Sequence, residues 1–332
     1  MKSLTDTFGR QITYLRLSVT DRCDLRCTYC MAEEMKFLPK RDVLSLEELE
    51  QLAGAFIERG VKKIRITGGE PLVRRDIMTL MARLGRRLEA GDFDELTLTT
   101  NGTQLFHHAD VLASLGVKRI NVSLDTLDDA KFEKLTRRNR LSQVLRGLDA
   151  AQAAGLKVKI NTVALKGVNE DEIAPMIEWA HGRGMDLTLI EVMPLGEIEE
   201  DRTDQYLPLT AVQDRLAEQW SLRPLAMKTG GPARYVKVEE TGGVLGMITP
   251  LTNNFCAGCN RVRVTCTGEI YMCLGHGDKI DLRAAMRGAD PQAALDAALD
   301  RAMLKKPERH AFDISKRGAA PAVSRHMSVT GG

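Results

Sequence analysis

The chain has 332 residues, enough to bury a large core in one big domain or two of ordinary size. Its 47 Lys and Arg nearly balance 45 Asp and Glu, so a net charge of +2 offers no extended footprint for nucleic acid, and any anion site must be local. The apolar runs are strand-sized and Met1 leads into polar residues, which argues against a membrane span and makes the cytoplasm the expected compartment.

From residue 14 to about 193, short β-rich runs alternate with amphipathic stretches. Strands are predicted at Tyr14–Val19, Lys63–Thr67, Leu96–Thr100, Lys118–Leu124, Lys157–Ala164 and Asp186–Val192. Ser45-Leu46-Glu47-Glu48 has the form of a capping box opening a helix that lasts to Gly60. Six β/α units in series imply parallel strands with right-handed crossovers. The fold expected is α/β: a partial (β/α)6 TIM-like barrel over residues 1–222, with functional groups at the C-terminal ends of its strands. After an acidic stretch (Glu197, Glu199, Glu200, Asp201) the rhythm changes to a helix from Leu209 and short strands at Arg234–Val238, Val244–Ile248, Arg261–Cys266 and Glu269–Cys273. Residues 223–332 are expected to form a smaller α+β module that closes the barrel.

Side chains alternate along a strand, so Tyr14, Arg16 and Ser18 share one face, as do Lys63, Arg65 and Thr67, then Asn121, Ser123 and Asp125, then Lys157, Lys159 and Asn161. With helices covering the apolar faces, these polar faces turn inward. A lumen carrying Arg16, Arg65 and Lys159 implies a cavity for an anionic ligand, although a single such cation would more often snorkel to solvent.

Seven cysteines, mostly in two tight groups, point to metal chemistry rather than to disulfides. Cys23, Cys27 and Cys30 form C-x3-C-x2-C directly after the first strand. Three thiolates from so short a loop can hold a four-iron cluster and leave one iron open; zinc, which prefers four ligands, and buried structural thiols are the competing readings. This motif, with Tyr29 before its last cysteine, resembles the radical S-adenosylmethionine superfamily. Thr67-Gly68-Gly69-Glu70-Pro71 after the second strand matches the superfamily's GGEP motif. The resemblance implies that Gly69, Tyr29, Ser123 and Met193 contact S-adenosylmethionine.

Cys256, Cys259 and Cys273 form C-x2-C-x13-C, three ligands without a clear fourth, unless His276 completes a zinc site. Cys266 alternates with Val262 and Val264 and is expected in an apolar core. The run Phe255-Cys-Ala-Gly-Cys-Asn-Arg261-Val-Arg263-Val closely resembles the GTP 3′,8-cyclase family. So do Tyr14-Leu-Arg16-Leu-Ser-Val-Thr-Asp-Arg-Cys23, Leu98-Thr-Thr-Asn-Gly, Asn121-Val-Ser-Leu-Asp125 and the closing Gly331-Gly332.

That resemblance implies two four-iron clusters, the second holding the guanine of GTP, with Arg16, Arg65, Thr99, Lys159, Arg261 and Arg263 gripping the nucleotide. It implies hydrogen abstraction from ribose C3′ and attack of that carbon on guanine C8, giving 3′,8-cyclo-7,8-dihydro-GTP, the first step of molybdenum cofactor biosynthesis. The product would pass to cyclic pyranopterin monophosphate synthase. An electron donor is required, a homodimer is compatible with the family, and Gly331 and Gly332 would enter the active site. One departure stands out: many members carry an arginine where this chain has Thr188. Two other readings share some of these features. A radical enzyme with an auxiliary cluster acting on a peptide or another small molecule would not need the lumen cations or the Gly-Gly tail, and an electron-transfer or metal-sensing protein would leave the GGEP loop and the cationic faces unused.

Overall fold

The computed structural model describes residues 3–196, 202–227, 229–314 and 321–331; the acidic stretch at 197–201 and Gly332 lie outside them. Six strands, β1 (Tyr14–Ser18), β2 (Lys63–Thr67), β3 (Glu95–Thr100), β4 (Arg119–Ser123), β5 (Lys157–Ala164) and β6 (Asp186–Glu191), pair in chain order. All are parallel to their neighbours. The crossovers are α1 (Leu46–Glu58), α2 (Ile77–Glu89), α3 (Leu105–Ser114), α4 (Asp129–Thr136), α5 (Leu141–Ala153) and α6 (Ile173–Gly182). The expected capping box opens α1: Glu48 N–H donates to Ser45 Oγ at 3.1 Å and Ser45 N–H to Glu48 Oε2 at 2.8 Å.

The chain continues through α7 (Arg202–Gln205), α8 (Leu209–Ala217), β7 (Leu222–Leu225), β8 (Arg234–Val238), β9 (Val244–Ile248), β10 (Arg261–Val264), β11 (Glu269–Tyr271) and β12 (Lys279–Asp281). It ends with α9 (Leu282–Met286), α10 (Pro291–Lys305) and α11 (Met327–Thr330). These later strands extend the same sheet from both ends, giving the order β12-β11-β10-β1-β2-β3-β4-β5-β6-β9-β8-β7. β10 is parallel to β1 and β9 parallel to β6, while the outer strands are antiparallel. Neither β7 nor β12 is apparent from the sequence. β7 is a half-exposed edge strand containing Pro224, and β12 has three residues, so neither carries an alternating pattern.

The sheet curls. Side chains from β1, β5, β6, β8, β9 and β10 (Arg16, Lys159, Thr188, Tyr235, Ile248, Arg263) all line one cavity, so its two ends face each other across a lumen. The outward strand positions are the apolar ones: Leu15, Leu17, Ile64, Ile66, Leu98, Ile120, Val122 and Ile160 are buried with the helices in one continuous core. Burying each such side chain contributes about 1.5–3 kcal/mol. The segment between β9 and β10, residues 249–260, joins the two ends of the sheet and carries Cys256 and Cys259.

Candidate active site

The loop after β1 is tied down on three sides. The end of α4 receives two of its amides, Arg26 N–H to Thr136 O and Thr28 N–H to Leu135 O, each at 2.9 Å. Asp24 accepts from Asn101 Nδ2 at 2.8 Å, Thr103 Oγ1 at 2.7 Å and Arg140 Nη1 at 3.0 Å. The GGEP loop closes the third side, with Gly69 N–H on Thr20 O and Glu70 N–H on Arg22 O, both 2.8 Å. A side chain on Gly69 would collide with the Arg22 carbonyl, so only glycine allows the two loops to lie this close. Glu70 is fully buried and accepts from Leu72 N–H, Asn101 N–H and Thr100 Oγ1. Burial pushes its carboxyl up to about 7.

Cys23, Cys27 and Cys30 line a cavity of about 180 Å³ together with Tyr29, Gly69, Ser123 and Met193. Thr99 lies on this cavity as well; it meets the cationic lumen through Arg65, whose Nη1 donates to Thr99 Oγ1 at 3.3 Å. The Tyr29 hydroxyl donates to Asp125 Oδ2 at 2.6 Å, while Asp125 Oδ1 accepts from Val163 N–H at 2.8 Å. Burial drives the Cys23 thiol up to about 12 and Cys27 well above its ordinary range. Buried thiolates here need cationic partners, as iron would provide. Among the described residues, no three His, Cys, Asp or Glu side chains gather as ligands of one metal ion. A four-iron cluster would seat each of the three thiolates on a separate iron.

A second cavity of about 170 Å³ brings together Cys256, Cys259, Cys273, Arg16, Arg65, Lys159, Arg261 and Arg263. The two cavities share Asn161, Ile190, Met193 and Met327 as walls. Register explains the cationic side: Arg263 on β10, Arg16 on β1 and Arg65 on β2 are paired neighbours at one level of the barrel. Arg16 and Arg65 are buried, and Arg16 Nε, Arg16 Nη2 and Arg65 Nε have no hydrogen-bond partner. Unsatisfied guanidinium donors in a cavity call for an anion. Burial is the main cause bringing Arg16 down to about 10, with repulsion from Arg65 and Arg261 adding to it and Tyr14 opposing. Burial would raise the Tyr14 phenol, but Arg65, Arg16, Lys63 and Arg261 outweigh it and bring it down to about 7. Lys63 sits on the same strand face but is spent elsewhere, on Thr229 O at 2.9 Å and Glu95 at 3.1 Å.

His276, the candidate fourth zinc ligand, has Nε2 against Arg309 O at 3.0 Å. Cys266 is fully buried, as its alternation with Val262 and Val264 predicts. Beside Thr188, whose Oγ1 is unpartnered, the Tyr235 ring occupies space left open by Gly246. Its hydroxyl accepts from Lys159 Nζ at 2.8 Å and lies 2.7 Å from Thr229 Oγ1. Tyr235 and the buried Lys306 are functional candidates that the sequence reading missed. No motif marks Tyr235, and a lysine at a helix C-terminus is by default a dipole partner. Asp24, Asn101 and Asp125 did lie inside recognised motifs, and pattern alone did not reveal their scaffolding contacts.

The C-terminal segment crosses both cavities. Ala322 N–H donates to Pro194 O at 3.0 Å, and Arg325 Nη1 to His276 O at 2.6 Å with Nη2 on Cys273 O at 3.3 Å. Met327 lines both cavities, and Gly331 O accepts from Arg263 Nη1. Gly331 has φ +74° and abuts Thr67.

Residues 17–180 match the radical SAM superfamily model, and residues 185–312 match the model described as Molybdenum Cofactor Synthesis C. The chain is 65% identical to a GTP 3′,8-cyclase of Erythrobacter litoralis over 99% of its own length and 98% of that protein. It is 62% identical to a GTP 3′,8-cyclase of Rhizobium meliloti over 99% and 94%. Among solved structures, Streptococcus suis SuiB bound to S-adenosylmethionine matches in fold with a TM-score of 0.60 at 17% identity, covering 90% of this chain and 69% of that one. Native anSMEcpe with bound AdoMet matches at 0.56 and 14%, covering 86% and 83%. No described helix is long and apolar enough to cross a membrane. A radical SAM core implies one four-iron cluster and S-adenosylmethionine, for which Cys23, Cys27 and Cys30 and their cavity are a fitting donor set. The chain belongs to the GTP 3′,8-cyclase family of radical SAM enzymes.

Proposed function

We propose that the chain converts GTP into 3′,8-cyclo-7,8-dihydro-GTP, opening molybdenum cofactor biosynthesis, with the chemistry at the junction of the two cavities. The observation carrying this reading is their shared wall of Asn161, Ile190, Met193 and Met327, with one cysteine triad on each side and the arginine row on one. When bound, the first cluster and S-adenosylmethionine supply a carbon-centred radical. The chain's own task is to hold, orient and enclose. Cys23, Cys27 and Cys30 would carry the first cluster, and Tyr29, Gly69, Ser123 and Met193 would border the S-adenosylmethionine. Arg16, Arg65, Lys159, Arg261 and Arg263, with Thr99 beside Arg65, would grip the triphosphate. Arginine forks suit phosphate oxygens, so these residues position the nucleotide more than they drive its reaction. Holding ribose C3′ toward the first cavity and guanine C8 near C3′ of the same molecule supplies the proximity the cyclisation needs.

Cys256, Cys259 and Cys273 are the ligands we assign to a second four-iron cluster. The assignment is supported by their lining of the cationic cavity and by a fourth position that guanine could fill. Gly331 and Gly332 are assigned to the active site, supported for Gly331 by its contacts with Arg263 and Thr67. Functionally, residues 1–222 form the radical core and 223–332 the module for the second cluster and the tail. The two family models, over residues 17–180 and 185–312, support a division into two parts, with their own junction between α6 and β6. The further partners in this reading are an external one-electron donor, a second copy of the chain and the synthase that takes the product, all in the cytoplasm.

The test is anaerobic reconstitution, iron counting, then reaction with dithionite, S-adenosylmethionine and 3′-deuterated GTP. About eight irons per chain, as two four-iron clusters require, with deuterium in 5′-deoxyadenosine, is the expected result. Cleavage of S-adenosylmethionine with GTP untouched would remove the substrate assignment.

A further inference from the structure

Lys306 closes α10 and is almost fully buried, with 3% of its surface exposed. Its Nζ donates to Met272 O at 2.7 Å, Arg261 O at 3.0 Å and Cys259 Sγ at 3.6 Å. Among the described residues no ion pair to Lys306 is seen, and a second cation, Arg261, acts beside it on the Cys259 thiol. A buried ammonium needs its donors satisfied and its charge balanced by its surroundings. Two carbonyls satisfy two of its protons. The third points at sulfur, a weak acceptor as a thiol and a strong one as a thiolate.

The three acceptors also matter by position. Arg261 O lies two residues past Cys259, and Met272 O immediately precedes Cys273. One ammonium therefore braces both chain segments that carry these cysteines. Resting on the second-cluster assignment above, we infer that Lys306 is a positioning residue for that cluster: its ammonium hydrogen-bonds the Cys259 thiolate, balances the cluster's negative charge and raises its reduction potential. Hydrogen bonds and positive charge at the sulfur ligands favour the more reduced, more negative state of a cluster.

The experiment uses the full chain in a background where Cys23, Cys27 and Cys30 are replaced by alanine, so that iron reports only the second site. Lys306→Met removes charge and donors together; Lys306→Gln keeps donors without the charge. Both variants are expected to shift the midpoint potential, read by spectroscopic redox titration, to more negative values. The concentration of a ferrous chelator that strips half the iron should fall roughly 10- to 100-fold, as for other outer partners of metal ligands. S-adenosylmethionine cleavage by the same substitutions in the otherwise unmodified chain checks that the barrel is folded. If Lys306→Gln leaves the potential and chelator resistance unchanged, the inference is overturned while the second cluster stands. If the background chain takes up no cluster, the second-cluster assignment falls and takes the inference with it.

Discussion

Replacing Gly331 by alanine tests whether the docked tail belongs to the catalytic machinery. The residue has φ +74° and ψ 126°, outside the left-handed helical region, where a side chain costs about 1–3 kcal/mol in strain. Space is the stricter limit, because the added Cβ would overlap Thr67 Oγ1 and lie 2.5 Å from Thr67 Cβ. Thr67 ends β2 and cannot retreat without moving the GGEP loop, so the tail must move instead. Moving it breaks the bond from Arg263 to Gly331 O. A hydrogen bond to a charged group is worth about 1.5–3 kcal/mol, so the docked tail should become roughly 10- to 150-fold less populated. Cyclic product formation should fall by a comparable factor. The melting temperature and GTP-independent cleavage of S-adenosylmethionine should stay near wild type, since the barrel core is untouched. The assay is single-turnover product formation by mass spectrometry beside 5′-deoxyadenosine release. Wild-type product yield from Gly331→Ala would refute the reasoning.

The phenol of Tyr14 should titrate near 7 by its near-ultraviolet phenolate absorbance, and GTP should move that midpoint upward by neutralising the cations that lower it. Because the folded value of about 7 lies below the ordinary 10, the phenolate adds stability that is complete above pH 10 and is lost as the pH falls through 7. Tyr14→Phe should abolish that pH dependence in denaturant titrations; a midpoint unmoved by GTP would place the triphosphate elsewhere. Tyr235→Phe keeps the ring and removes the hydroxyl that holds Lys159, so the KM for GTP should rise roughly 2- to 10-fold, the value of one ordinary hydrogen bond, with kcat little changed. An unchanged KM would show that Lys159 needs no anchor.

Local pattern was sufficient for much of this protein. Alternation of apolar and polar residues locates β1 to β6 within a residue or two, because a strand with one face under helices and one in a lumen must alternate. The same alternation foretells the inward turn of Arg16, Arg65 and Lys159, and close spacing marks Cys23, Cys27 and Cys30 and the pair Cys256 and Cys259, while Cys273 joins that pair only across β10 and β11. Tertiary structure alone decided what faces what. β9 and β10 join opposite ends of the sheet, which sets Arg263 beside Arg16 and brings Cys256 over the lumen, an adjacency between residues far apart in the chain that periodicity does not encode. Tyr235 and Lys306 acquire meaning only there. A tyrosine on a short strand and a lysine at a helix end look ordinary until folding places one hydroxyl on Lys159 and buries one ammonium against Cys259.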